Sequence, residues 1–74
     1  MNLKETDLNL FVAFDVIYNE RNLTKAGQVL GITQPAVSNA LSRLRELFDD
    51  ELFIRSSKGM VPTPVAHQII TDVR

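Results

Sequence analysis

The chain has 74 residues, 45% apolar and 23% charged, with no cysteine and a formal net charge of −1. At that length one domain is the limit, and folding hides only about 60% of the surface an unfolded chain exposes, so the core must be small and efficient. The composition excludes a disordered or fibrous chain, the missing cysteine excludes disulfides and thiolate metal sites, and no apolar run approaches the roughly 20 residues of a membrane span.

The N-terminal stretch MNLKETDLNL lacks the cationic and apolar regions of a signal peptide, and a reducing cytoplasm fits the absence of cysteine. Asp7 is placed to cap a first helix running to about Asn19. At 100° per residue, Leu10, Phe11, Ala13, Phe14, Ile17 and Tyr18 gather on one broad arc, while Leu8, Val12 and Val16 form a separate stripe. A helix apolar on two sides is packed on two sides. Thr24 then predicts the N-cap of a short helix, Lys25 to Leu30, with Leu23 ahead of it as a hydrophobic staple and Gly31 as its stop.

Thr33 is a second good cap, which places Pro35 in the first turn of the next helix. A backbone N–H has no intrahelical partner there, so the proline starts the helix rather than breaking it. Val37, Ala40, Leu41, Leu44, Leu47 and Phe48 recur at three- and four-residue spacing and predict its inward face. Gln34, Ser38, Ser42 and Arg45 fall on the opposite side, with Asn39 at its flank. "FDDE" (48–51) predicts a polar break, "LFIR" (52–55) a strand, "SSKG" (56–59) a turn and "MV" (60–61) a return strand that Pro62 ends. Thr63-Pro64 repeats the cap-then-proline start for a last helix striped by Val65, Ala66, Ile69, Ile70 and Val73. Its stripe is unfinished at Arg74, which predicts a fragment of something longer.

A short helix, a glycine-containing turn and a second helix make a helix-turn-helix unit. Such a unit needs a small residue where its helices meet, which Ala26-Gly27 supplies, a turn residue tolerant of unusual φ, which is Gly31, and apolar plugs, which Leu30, Ile32 and Val37 provide. The outer side of the second helix carries Gln34, Ser38, Asn39 and Ser42 in place of the Glu and Lys pairs of a merely solvated face. Gln and Asn can pair bidentately with adenine, Ser serves bases or phosphate, and a helix N-terminus suits a phosphate. In the hairpin, Arg55 and Lys58 are placed for a wing lying along the neighbouring backbone or minor groove.

The stretch NLTKAGQVLGITQPAVSNALSRLRELFDDELFIRSSKGMVPTPVA, with the apolar helix ahead of it, resembles the N-terminal DNA-binding domain of the LysR-type bacterial transcriptional regulators. Its most specific pieces are TQPAVSNAL (33–41), the LF-x-R of the wing (Leu52, Phe53, Arg55) and PTP-x-A (62–66). The resemblance implies a mainly α fold. A winged helix-turn-helix of three helices plus a β-hairpin wing would occupy residues 1–62, and 63–74 would begin a linker helix that pairs two subunits. It also implies DNA contacts at Thr33, Gln34, Pro35, Ser38 and Asn39, with Arg55 in the wing and Thr24 against the backbone. A ligand-sensing domain of two lobes, through which a small-molecule inducer would act, usually follows in such regulators and is absent from this chain. Three positions depart from the pattern. Asn39 stands where many relatives carry arginine, which points to a weaker or adenine-directed contact. Gly27 stands where a second alanine is common, costing the short helix roughly 1 kcal/mol. Arg45 follows Leu44 where an acid is frequent.

The low net charge is reconciled with a polynucleotide partner by its distribution. Glu5, Asp7, Asp15 and Glu20 outweigh Lys4 around the first helix, whereas Arg21, Lys25, Arg43, Arg45, Arg55 and Lys58 lie in the binding half. Asp49, Asp50 and Glu51 offset them at the far end of the second helix of the unit. Specific binding then calls for a homodimer, or a tetramer in a full-length protein, reading dyad-related half-sites of promoter DNA. Leu8, Val12, Val16, Val65, Ile69 and Val73 are the residues expected to pair the subunits. His67 is expected to pack or face solvent rather than bind metal, and Asp49, Asp50 and Glu51 to form a solvated turn. No catalytic constellation, cofactor site or membrane segment is expected, and the location implied is the bacterial cytoplasm at the nucleoid. A winged-helix module used for protein–protein contact is the alternative, separable by the salt dependence of DNA binding.

Overall fold

A computed structural model describes residues 9–73. Its elements in chain order are α1 (Leu10–Glu20), α2 (Leu23–Leu30), α3 (Gln34–Phe48), β1 (Phe53–Ser56), β2 (Gly59–Pro62) and α4 (Pro64–Val73). The mainly helical fold with an antiparallel hairpin is the one the sequence predicts. Asp7 and Leu8 lie outside the described residues. Asn9 caps α1 by accepting from the Phe11 and Val12 N–H groups. Among the described residues no helix is long and apolar enough to cross a membrane.

The core lies where α1, α2, α3, the wing and α4 converge. Phe14, Ile17, Val37, Leu44, Leu52 and Phe53 are its largest fully enclosed side chains, and the Phe14 and Phe53 rings meet at 5.4 Å. Ala66, Ile69 and Ile70 bring α4 into the same cluster. The α3 stripe is inward at Val37, Ala40, Leu41 and Leu44, as its spacing predicts. Leu47 is a correction: it is 60% exposed, because it stands at the edge of the stripe in the last turn, beyond the reach of the core. Phe48 is half-buried and its ring meets that of Phe11 edge-on at 6.2 Å.

Helix α2 begins two residues earlier than the sequence predicts. Asn22, not Thr24, is the N-cap, its side chain accepting from the Lys25 N–H at 2.9 Å. Leu23 is therefore the first helical residue and buried, not a staple outside the helix. The helix stops at Gly31 (φ 73°), where the Gly31 N–H returns to the Gln28 carbonyl and the Ile32 N–H to that of Gly27. This paired return satisfies carbonyls that a helix end leaves open. Gly27 has a packing reason: a Cβ there would stand 2.8 Å from the Ile32 carbonyl oxygen, so the glycine lets the turn close against α2.

Candidate nucleic-acid interface

Thr33 caps α3, accepting from the Ala36 N–H at 3.3 Å, and Pro35 sits in the first turn as predicted. Gln34, Asn39, Ser42 and Arg43 are exposed, Ser38 is half-buried, and Gln34 donates a long 3.5 Å hydrogen bond to the Ser38 hydroxyl. Thr24 is exposed on the second helical position of α2 rather than at its cap. Arg45 does not belong to this surface. It runs along the same helix edge as Gln34, but about 16 Å further down the axis at 1.5 Å per residue. There its guanidinium donates to the carbonyls of Glu51 (2.7 Å) and Phe53 (2.8 Å), tying the end of α3 to the start of the wing.

The wing is a four-pair antiparallel hairpin in the register Phe53↔Pro62, Ile54↔Val61, Arg55↔Met60 and Ser56↔Gly59. Alternation along β1 puts Phe53 and Arg55 on one face. Phe53 enters the core; Arg55, two residues nearer the tip, passes its edge and stays exposed. Lys58 occupies the exposed tip, and the Ser56 hydroxyl braces the turn by accepting from the Lys58 N–H and donating to the Gly59 carbonyl, both at 3.1 Å.

Two further contacts fix the wing, and sequence reasoning missed both. The Arg21 carbonyl accepts from the Met60 N–H at 2.9 Å, an approach so close that a Cβ on Gly59 (φ 104°) would stand 2.6 Å from that oxygen. Asp50, expected in a solvated turn, is half-buried instead. One of its carboxylate oxygens accepts from the Leu52 N–H (2.8 Å) and from the Thr63 hydroxyl (2.7 Å), while Thr63 caps α4 through the Ala66 N–H. A shallow cleft of about 100 Å³ opens between these parts, lined by Arg21, Asn22 and Thr24, by Gln34 at the start of α3, and by Arg55 and Met60 of the wing.

Of the residues expected to pair subunits, Val12, Val65 and Val73 are 48%, 40% and 47% exposed. Val16 is half-buried against the core, and Leu8 lies outside the described residues. Ile69 is a correction: it is buried in this chain's own core beside Ala66 and Ile70, because α4 turns that side of its stripe inward. His67 packs, its Nδ1 lying 2.6 Å from the Tyr18 hydroxyl with the rings edge to face. Among the described residues no cluster of His, Asp or Glu is arranged to hold a metal ion.

The family model for bacterial regulatory helix-turn-helix proteins of the lysR family matches residues 8–67. The chain is 50% identical over 72 residues to the HTH-type transcriptional regulator LeuO of Escherichia coli (strain K12), covering 97% of this chain and 23% of that protein. Its fold matches a crystal structure described as a probable transcriptional regulator from Pseudomonas aeruginosa, with a TM-score of 0.84 and 44% identity, over 96% of this chain and 24% of that one. It also matches the crystal structure of a BenM DBD–catB site 1 DNA complex, with a TM-score of 0.69 and 26% identity, over 99% of this chain and 84% of that one. The chain spans about a quarter of the length of the curated relatives it matches. The exposed polar start of α3, the basic wing beside it and these matches agree: the chain belongs to the lysR family of bacterial regulatory helix-turn-helix proteins, and its winged helix is the DNA-binding domain of that family.

Proposed function

We propose that the chain reads double-stranded promoter DNA with α3 in the major groove and the wing on the backbone or minor groove, as one half of a dimer on a dyad-symmetric site. The observation that carries this is the polar edge of α3, with Gln34, Asn39 and Ser42 exposed and Ser38 half-buried, beginning at a cleft that Gln34 and Arg55 both line. A 15-residue helix of 10–12 Å diameter fits a major groove about 12 Å wide, and its amide and hydroxyl groups match base-edge donors and acceptors. Thr24, Thr33, Arg43, Arg55 and Lys58 then serve the phosphates, which set register without reading sequence. Pro35 presents its ring beside Gln34, where apolar contact with a thymine methyl is available.

Val12, Val65 and Val73 supply exposed apolar surface for pairing two copies. The role follows as transcription regulation in the bacterial cytoplasm, through binding rather than catalysis.

The test is fluorescence anisotropy on random duplex and on a dyad-symmetric, A·T-rich promoter duplex, from low salt upward. Gln34→Ala should remove sequence preference while leaving non-specific affinity. Arg55→Ala should weaken binding to both duplexes and lower the salt slope by about 0.9 per lost contact. Binding to neither duplex at low salt, with the helices intact by circular dichroism and two copies fused through a coiled coil, would refute the proposal.

A further inference from the structure

Arg21 occupies a backbone conformation that favours glycine, at φ 57° and ψ 24° after the end of α1. A non-glycine residue there costs roughly 1 kcal/mol, and glycine or asparagine is the usual occupant. The backbone duties of this position need no side chain. Its N–H closes α1 onto the Ile17 carbonyl at 2.8 Å, and its carbonyl holds the Met60 N–H of the wing. What arginine adds is the guanidinium, and the structure shows how that group is held. Its Nε donates to the Tyr18 carbonyl and its Cζ lies 4.7 Å from the centre of the Tyr18 ring, so its plane is fixed. The terminal N–H groups make no contact with a carboxylate among the described residues.

Arg21 also lines the cleft between the start of α3 and the wing, together with Asn22, Thr24, Gln34 and Arg55, and no acid is in that lining. A lining that carries two guanidinium-bearing residues and no acid attracts an anion. Planar forks of this kind match phosphate oxygens bidentately, and one held in place beforehand loses little freedom on binding. We propose that Arg21 is a DNA-phosphate contact, which together with Arg55 clamps one backbone phosphate in the cleft between the start of α3 and the wing. This rests on the DNA-binding reading above and adds to it a residue outside both the helix-turn-helix unit and the wing.

The test uses the 74-residue chain with Arg21→Asn, since asparagine tolerates the left-handed backbone and removes the charge. Anisotropy across a salt series should show affinity falling roughly tenfold on promoter and random duplex alike, with a salt slope shallower by about 0.9 per bound protomer. Arg21→Lys, which keeps the charge, should retain most of that slope. A chemically synthesised chain with citrulline at position 21 keeps the Nε–H donor and the plane over Tyr18 but not the charge. It should behave as Arg21→Asn does, and it carries the test if the asparagine variant melts early. Wild-type slope and affinity in the citrulline chain, while Arg55→Ala lowers both, would overturn the proposal and leave Arg21 as a clamp on Tyr18. Absence of salt-dependent binding by the wild-type sequence, even with two copies fused through a coiled coil, would instead overturn the DNA-binding reading, and the phosphate contact with it.

Discussion

Replacing Asp50 by alanine tests whether one carboxylate joins the recognition helix, the wing and α4. Two hydrogen bonds of 2.8 and 2.7 Å disappear with it, from the Leu52 N–H and the Thr63 hydroxyl. Leu52 is fully buried and sits at φ 66°, an outlier for a bulky residue, so its N–H becomes an unpartnered donor at a strained position. Bonds to a charged acceptor contribute about 1.5–3 kcal/mol each, and the half-buried setting of Asp50 puts the pair near the low end, at about 2–3 kcal/mol together. For a domain of this size that lowers Tm by roughly 10–20 °C. Thermal and urea unfolding followed by circular dichroism measures it, and hydrogen exchange at the Leu52 amide should quicken in parallel. Asp50→Asn keeps one carbonyl oxygen and should lose about half as much. A solvated turn predicts a change within about 0.5 kcal/mol for either variant, and that result for Asp50→Ala would refute the staple.

Gly59→Ala forces a Cβ to within 2.6 Å of the Arg21 carbonyl at φ 104° and breaks the Met60 bond; urea unfolding should show a loss of about 2–4 kcal/mol. Asn22→Ala should cost about 1 kcal/mol by removing the α2 cap, whereas Thr24→Ala should stay within about 0.5 kcal/mol; equal losses in thermal melts would contradict the cap assignment. Phe53→Ala empties a fully enclosed site against Phe14 and should cost about 3–5 kcal/mol, enough in a 74-residue chain to abolish the cooperative transition seen by circular dichroism.

The elements whose chemistry is local were legible in the sequence. Thr33 before Gln34-Pro35 and Thr63 before Pro64 each place a hydroxyl acceptor and a donorless residue where a first turn needs them, and both helices start there. Gly31 marks the turn by its φ alone. The cap of α2 falls at Asn22, two residues ahead of the Thr24 that the sequence predicts. The choice falls to Leu23, whose side chain reaches the core only if it is already helical. Arg45, Asp50 and Gly59 were not legible because their partners are backbone groups or side chains brought close only by the folded hairpin. Thr63 is thirteen residues from Asp50, and the Arg21 carbonyl is 38 residues from Gly59 along the chain. A charge or glycine in a turn reads the same from sequence whether it is solvated or clamped.

That division between local and distant partners bears on how the interface is built. Arg55 is held opposite Gln34 by backbone carbonyls: Arg21 receives Met60 from one side, and Glu51 and Phe53 receive Arg45 from the other. Gln34, Ser38, Asn39, Ser42 and Arg55 supply none of these side-chain clamps, and the contact between Gln34 and Ser38 is a long one of 3.5 Å. On the proposed reading, substitutions at these five positions should change what the surface recognises, at a stability cost within about 0.5 kcal/mol each. The frame positions Arg45, Asp50 and Gly59 have the opposite character: altering them moves the wing relative to α3, so binding to every sequence should weaken together with stability.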